Sequence, residues 1–274
     1  MPPQQSLLTV QLDIPQLAET AQTASYLDIG NGIPVIILHG FMGNKECWLP
    51  LIKHLKPHCR CISLDLLGFG ESGKPKIRYD VATEVAFVRQ VALKLGLNSY
   101  YILGHSFGGW VAAAYALKYP DHVKGLLLAA PAGIRDDSFC GRYDHLRPLL
   151  WQTPVVDWVL QLLNLTAKSA TIDKIAWFRR ELNAQPAARS FLVDRIRPED
   201  AIDTVEKEIH RLKVPTLVIS GDRDETIPLW HSETYAAEIP GAKLAIIPDA
   251  SHSLPQDYAP QLAALIEQFL GYVN

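Results

Sequence analysis

Ser106 is the residue around which chemistry can be assembled, because it stands in Gly104-His105-Ser106-Phe107-Gly108, a G-x-S-x-G stretch. Glycines two before and two after a serine allow a turn so sharp that any side chain there would collide with the adjoining strand and helix, and such a turn pushes the hydroxyl outward. A serine hydroxyl at its free pKa is a poor nucleophile, so it needs a base within hydrogen-bond reach and an acid to orient that base. Both residue types occur later in the chain: Asp222 and Asp224 in Gly221-Asp222-Arg223-Asp224-Glu225-Thr226-Ile227-Pro228, and His252 in Pro248-Asp249-Ala250-Ser251-His252. Asp136, after an earlier apolar run, is a further candidate acid. A second glycine-rich stretch, Gly68 to Lys74, nearly spells a phosphate-binding loop, but Pro75 replaces the Ser or Thr that holds magnesium and offers no N–H. It reads as a turn-forming loop, not a nucleotide site.

The elements that must position these residues follow from periodicity. Short aliphatic runs at Leu7–Leu12, Ala24–Asp28, Pro34–Leu38, Cys59–Leu64, Tyr100–Leu103, Val123–Ala130, Val214–Ser220 and Lys243–Ile247 predict strands. Helical spacing at Glu46–Leu55, Val81–Leu95 (capped by Asp80) and Phe107–Tyr119 (stopped by Pro120) predicts helices between them. Alternation of this kind builds a mostly parallel sheet flanked by helices, an α/β fold, whose later strands should be buried on both faces. Ser106, the Asp222/Asp224 pair and His252 each lie just past the carboxyl end of a predicted strand, the edge where open sheets bind ligands. The rhythm breaks between residues 134 and 199, where helices are expected around Val155–Leu163, Ile172–Leu182 and Ala187–Ile196. This predicts a core of residues 1–133 and 200–274 with a helical cap inserted at 134–199. Ile202, Val205, Ile209 and Leu212 predict an amphipathic helix returning the chain to the sheet.

Composition narrows the partners. The 274 residues are 48% hydrophobic and 20% charged with a formal net charge of -3, which leaves no basic field for nucleic acid. No apolar run approaches a membrane span, and the first residues lack a basic segment followed by an apolar one, so the expected compartment is the cytoplasm. Cys47, Cys59, Cys61 and Cys140 do not form a secreted framework, and Cys59 and Cys61 would share one strand face as buried thiols. No His/Cys/Asp/Glu spacing calls for a metal, and no cofactor motif is present; a small-molecule substrate is the expected partner. The remaining histidines, His39, His54, His58, His105, His122, His145, His210 and His231, read as structural or surface residues.

His39-Gly40-Phe41, Asp65-x-x-Gly68-x-Gly70-x-Ser72, the Gly104-to-Gly109 elbow, Gly221-x-x-Asp224 and His252 together resemble the α/β-hydrolase superfamily over residues 24–133 and 200–274, with a variable cap between. The resemblance implies a Ser106–His252–Asp224 triad and an oxyanion hole made by the backbone N–H groups of Phe41 and Phe107. It implies a cofactor-independent serine hydrolase acting on a carboxylic ester of a small to medium apolar molecule. Carbon–carbon, lactone, thioester or perhydrolytic chemistry on the same triad is the alternative, and a ligand-binding protein of this fold the alternative of another class. Two positions depart from the pattern. Ser251 stands where glycine usually precedes the histidine, and Ser253 stands where carbon–carbon hydrolases of the superfamily commonly carry Trp. Serine at the elbow argues against dehalogenases and epoxide hydrolases, which use a carboxylate there. Trp151, Trp158, Trp177 and Phe178 in the cap are candidate walls of a hydrophobic pocket. Arg179 and Arg180 could bind a substrate carboxylate, but adjacent arginines on a helix face different ways and are usually solvated.

Overall fold

The structure is a computed structural model that describes residues 5–14, 17, 20–136, 153–167, 170–194 and 204–272. Eight strands form one sheet: β1 (Gln5–Gln11), β2 (Ala21–Ile29), β3 (Ile33–Leu38), β4 (Cys59–Leu64), β5 (Tyr100–His105), β6 (Val123–Ala129), β7 (Thr216–Gly221) and β8 (Lys243–Ile247). Their order is β1-β2-β4-β3-β5-β6-β7-β8. β2 runs antiparallel to both β1 and β4, and every pairing from β4 to β8 is parallel. β3 sits between β4 and β5, so the chain order reverses there and the loops after β3 and β5 open onto one crevice.

Strand period two divides the core into two layers. Ile36, Leu38, Ile62, Leu64, Ile102 and Leu128 face one side, where they pack with α2 (Val81–Lys94) and α3 (Phe107–Lys118). Val35, Ile37, Cys59, Cys61, Leu103 and Leu127 face the other, against Trp48, α1 (Leu49–Leu55) and α9 (Ala259–Leu270). Asp80 caps α2 by accepting the Thr83 N–H at 2.7 Å. Cys59 and Cys61 are buried, which pushes their thiols up to about 11 and about 12.

Among the described residues three α-helices lie between β6 and β7: α4 (Pro154–Ala167), α5 (Ala170–Ala184) and α6 (Pro186–Asp194). Arg179 on α5 is buried and pairs with Asp157 on α4, Nε to Oδ1 at 2.7 Å and Nη2 to Oδ2 at 2.9 Å. The expectation that both adjacent arginines serve substrate or solvent is corrected for Arg179: its planar fork clamps two helices together. α7 (Leu229–Glu238) follows β7, and the short α8 (Leu254–Asp257) precedes α9.

Two further expectations are corrected. Val205, Ile209 and Leu212 are buried as their spacing requires, but the described residues from 204 to 212 form successive tight turns ending in a 3₁₀ turn at Ile209–Arg211. The Val205 N–H is spent on the Gly133 carbonyl, and the following bonds are mostly i to i−3, so tight turns bury the same residues a helix would. β8 is an edge strand with Leu244 and Ile246 exposed, because only β7 flanks it.

Candidate active site

Ser106 follows β5 directly and opens α3 with φ 53° and ψ −117°, a conformation that side chains rarely adopt. The turn is held by its own backbone: the Ser106 N–H donates to Ala129 at 3.0 Å, and the Ser106 carbonyl accepts from Gly109, Trp110 and Ala132. The flanking glycines are sterically required. A Cβ on Gly104 would lie 2.1 Å from the Gly108 carbonyl oxygen, and one on Gly108 would lie 2.4 Å from that of Leu38.

The loops after β3 and β4 are tied into one body around this turn. Burial lowers the pKa of His39, whose Nε2 accepts the Leu66 N–H at 3.0 Å and whose Nδ1 donates to the Gly40 carbonyl at 2.8 Å. Buried Asp65 accepts from the Lys45 ammonium at 3.0 Å and from the Glu71 N–H at 2.9 Å. Gly70 at φ 47° presses so closely on this carboxylate that a Cβ there would lie 2.3 Å from its carbon. Glu84, fully buried, accepts the Leu67 N–H at 3.0 Å, and burial raises its pKa well above the usual carboxylate range. Motif residues read as turn formers thus hold the Phe41 loop against Ser106. The backbone N–H groups of Phe41 and Phe107 donate to no other group among the described residues.

Asp224 and His252 meet across the loops after β7 and β8. His252 Nδ1 lies 2.7 Å from Asp224 Oδ2, while Asp224 Oδ1 accepts the N–H groups of Thr226 and Ile227, both at 2.8 Å. A carboxylate so held fixes the imidazole with Nδ1 protonated and leaves Nε2 as its basic nitrogen. Asp222 is exposed, and Asp136 pairs with His231 Nε2 at 3.2 Å, so neither shares this contact. His105, beside Ser106, donates its Nε2 proton to the His252 carbonyl at 2.8 Å, and the two rings stand 4.6 Å apart. Burial, reinforced by His252, pushes the His105 pKa down to about 3. His105, the chain neighbour of Ser106, thus ties the elbow to the loop that carries His252.

Sequence reasoning missed the roles of His105 and His231, because their partners lie 147 and 95 residues away. It also missed the aromatic wall at the elbow. Phe107 packs on Phe191 of α6 with centroids 4.7 Å apart, and Phe41 and Phe69 extend the cluster at 6.5 and 5.9 Å from Phe107. Among the expected wall residues, Phe178 is partly buried against the main core, Trp158 and Trp177 are exposed, and Trp151 lies outside the described residues. Cys140 and His145 also lie outside them.

With this geometry in hand, comparison with known proteins identifies the class. Residues 33–165 match the family described as alpha/beta hydrolase fold. A 2-hydroxymuconate semialdehyde hydrolase of Pseudomonas putida is 31% identical over 255 residues, covering 89% of each chain. The chain belongs to the α/β-hydrolase family. A monoacylglycerol lipase of Mus musculus is 25% identical, covering 89% of this chain and 77% of the lipase. A thermophilic esterase from Thermogutta terrifontis shares the fold with a TM-score of 0.75 at 24% identity, covering 97% of this chain and 98% of the esterase.

Proposed function

We propose that the protein is a serine hydrolase that cleaves a carboxylic ester of an apolar molecule through an acyl-enzyme, with Ser106, His252 and Asp224 as its triad. The observation that carries this reading is the Asp224–His252 contact, Nδ1 to Oδ2 at 2.7 Å, in a chain whose candidate nucleophile Ser106 stands at an elbow with φ 53°. In this reading Ser106 Oγ attacks the ester carbonyl carbon and its proton passes to His252 Nε2. Asp224 stabilises the resulting imidazolium, and the N–H groups of Phe41 and Phe107 receive the oxyanion. Collapse breaks the bond to the leaving alkoxide, which takes the proton from His252. Water activated by the same nitrogen then attacks the acyl carbon and restores Ser106. The Phe41–Phe69–Phe107–Phe191 cluster supports an apolar acyl group. The core and cap boundaries, 1–133 with 200–274 and 134–199, belong to the same reading.

Turnover of p-nitrophenyl esters of increasing acyl length by wild type and Ser106→Ala tests it. A rate peaking at one chain length and lost in the variant is expected; wild-type turnover that survives the substitution would sink the reading.

A second reading is favoured by the Pseudomonas putida relative: hydrolysis of a substrate of the kind its name states, on the same triad. Ser253 in place of the Trp expected of carbon–carbon hydrolases weighs against it. Consumption of 2-hydroxymuconate semialdehyde faster than any ester in the panel would make it the better account.

A further inference from the structure

Ser106 holds a backbone conformation that side chains rarely adopt, and such a residue persists only where its surroundings over-determine it. Its carbonyl accepts three N–H groups. Those of Gly109 and Trp110 are what the first turn of any helix supplies. The third, from Ala132 at 3.0 Å, comes from outside the helix, on the segment that follows β6. This long-range bond is only as secure as the segment that carries it.

That segment is itself strained and has to be pinned. Ala130 at φ 44° and Gly133 at φ 99° both lie in the left-handed region. Two of its fixings are backbone bonds, from the Ala130 N–H to the Ile219 carbonyl at 2.7 Å and from the Val205 N–H to the Gly133 carbonyl at 2.9 Å. Between them the Ala132 carbonyl accepts no backbone N–H among the described residues; the hydroxyl of Tyr235 on α7 donates to it at 2.7 Å. Tyr235 is fully buried in the apolar layer on the α2 and α3 side, where a phenylalanine ring would pack as well but bring no donor. Gly133 leaves the room for this contact, since a Cβ there would lie 2.9 Å from the Tyr235 oxygen and 2.6 Å from the Trp110 ring. One turn earlier on the same face of α7, buried His231 reaches Asp136 at 3.2 Å and pins the segment again. α7 itself starts at Leu229, just beyond the Thr226 and Ile227 N–H groups that hold Asp224.

We propose that Tyr235 is a positioning residue for the nucleophile: its hydroxyl fixes Ala132 from the side away from Ser106, so that the Ala132 N–H holds the Ser106 carbonyl and keeps the elbow in its strained conformation. Through Tyr235 and His231, α7 joins the loop of the acid to the turn of the serine. The inference rests on the reading of Ser106 as the nucleophile.

Tyr235→Phe removes the hydroxyl alone. The control is Tyr115→Phe, because Tyr115 on α3 is equally buried but its hydroxyl pairs with that of Tyr100 at the start of β5. Both are compared with wild type well below their unfolding transitions, by saturation kinetics of labelling with a fluorophosphonate. A misplaced nucleophile slows bond formation and not reagent binding, so the maximal labelling rate of Tyr235→Phe should fall about tenfold with half-saturation unchanged. Tyr115→Phe should label like wild type. A hydroxyl with a merely structural role would lower the unfolding temperature and leave the labelling rate alone. Amide exchange needs neither turnover nor label: the Ala132 N–H should be protected in wild type and exchange about tenfold faster in Tyr235→Phe. A folded Tyr235→Phe that labels at the wild-type rate would overturn the proposal, and so would an Ala132 N–H that exchanges freely in wild type, a readout that holds even where the variant does not fold. Wild type that takes no label, with Ala132 exchange as expected, would sink the serine-hydrolase reading and support the anchoring of the elbow.

Discussion

Replacing Asp224 by Asn separates the tautomer argument from every structural role of that residue. The Asn carbonyl can still accept the Thr226 and Ile227 N–H groups that Oδ1 receives at 2.8 Å, so the loop after β7 keeps its shape. What changes is the atom 2.7 Å from His252 Nδ1: an amide N–H₂ donates where a carboxylate oxygen accepted. Nδ1 must then give up its proton, Nε2 carries it, and the nitrogen proposed as the base for Ser106 loses the lone pair that role needs. The developing imidazolium also loses its counter-charge. Together these place the expected loss in kcat at about 10³–10⁴, equivalent to about 4–5.5 kcal/mol of transition-state stabilisation. Loss of a charge-assisted hydrogen bond should lower stability by only about 1–3 kcal/mol, leaving a folded variant. The assay is steady-state hydrolysis of the best p-nitrophenyl ester beside a urea unfolding curve. Exposed Asp222→Asn should stay within about twofold of wild type, and Asp136→Asn, whose carboxylate serves His231, should lose less than about tenfold. A folded Asp224→Asn retaining a tenth of the activity, or an equal collapse in Asp136→Asn, would refute the reasoning.

Three other perturbations test the supports of the site. Gly108→Ala, whose Cβ would meet the Leu38 and His39 carbonyl oxygens at 2.4 and 2.5 Å, should cost about 2–4 kcal/mol in urea unfolding and most of the activity, since backbone rather than a movable side chain must yield. His105, held at about 3 against an unfolded value near 6.5, contributes stability that is complete above pH 6.5 and drains away as pH falls toward 3; His105→Gln, which can still donate to the His252 carbonyl, should flatten that acid limb of a Tm-against-pH curve. Glu84 has the opposite sign: its raised pKa favours folding below about pH 4.5 and stability declines as pH rises from there, so Glu84→Gln should gain in urea midpoint over wild type at pH 8 relative to pH 5.

Legibility in the sequence followed the range of the interactions concerned. β3 to β7 could be read because strands covered on both faces are written as mainly apolar runs, interrupted by Arg60 in β4 and Lys124 in β6, and the elbow because backbone sterics at Gly104 and Gly108 demand glycine locally. β8 has the same aliphatic spelling but ends the sheet, and no residue within it reveals that it lacks a second neighbour. The 204–212 segment has helical spacing, yet its form is decided by the Gly133 carbonyl some seventy residues earlier in the chain. Asp222 and Asp224 differ by two positions in one loop, and only the fold shows which carboxylate is buried beside His252. Arg179 illustrates the same point on α5, where an arginine adjacent to another looks solvated until Asp157 is brought to it by helix packing.

The central claim is that Ser106 is a nucleophile poised by the rest of the site, and its most direct test is covalent. Folded protein treated with a fluorophosphonate and analysed by intact mass, then by peptide mapping, should gain a single phosphonyl group on the peptide containing Ser106, with none on Ser106→Ala and markedly slower labelling of Asp224→Asn. No adduct on folded wild type, or an adduct carried by another residue, would contradict the account.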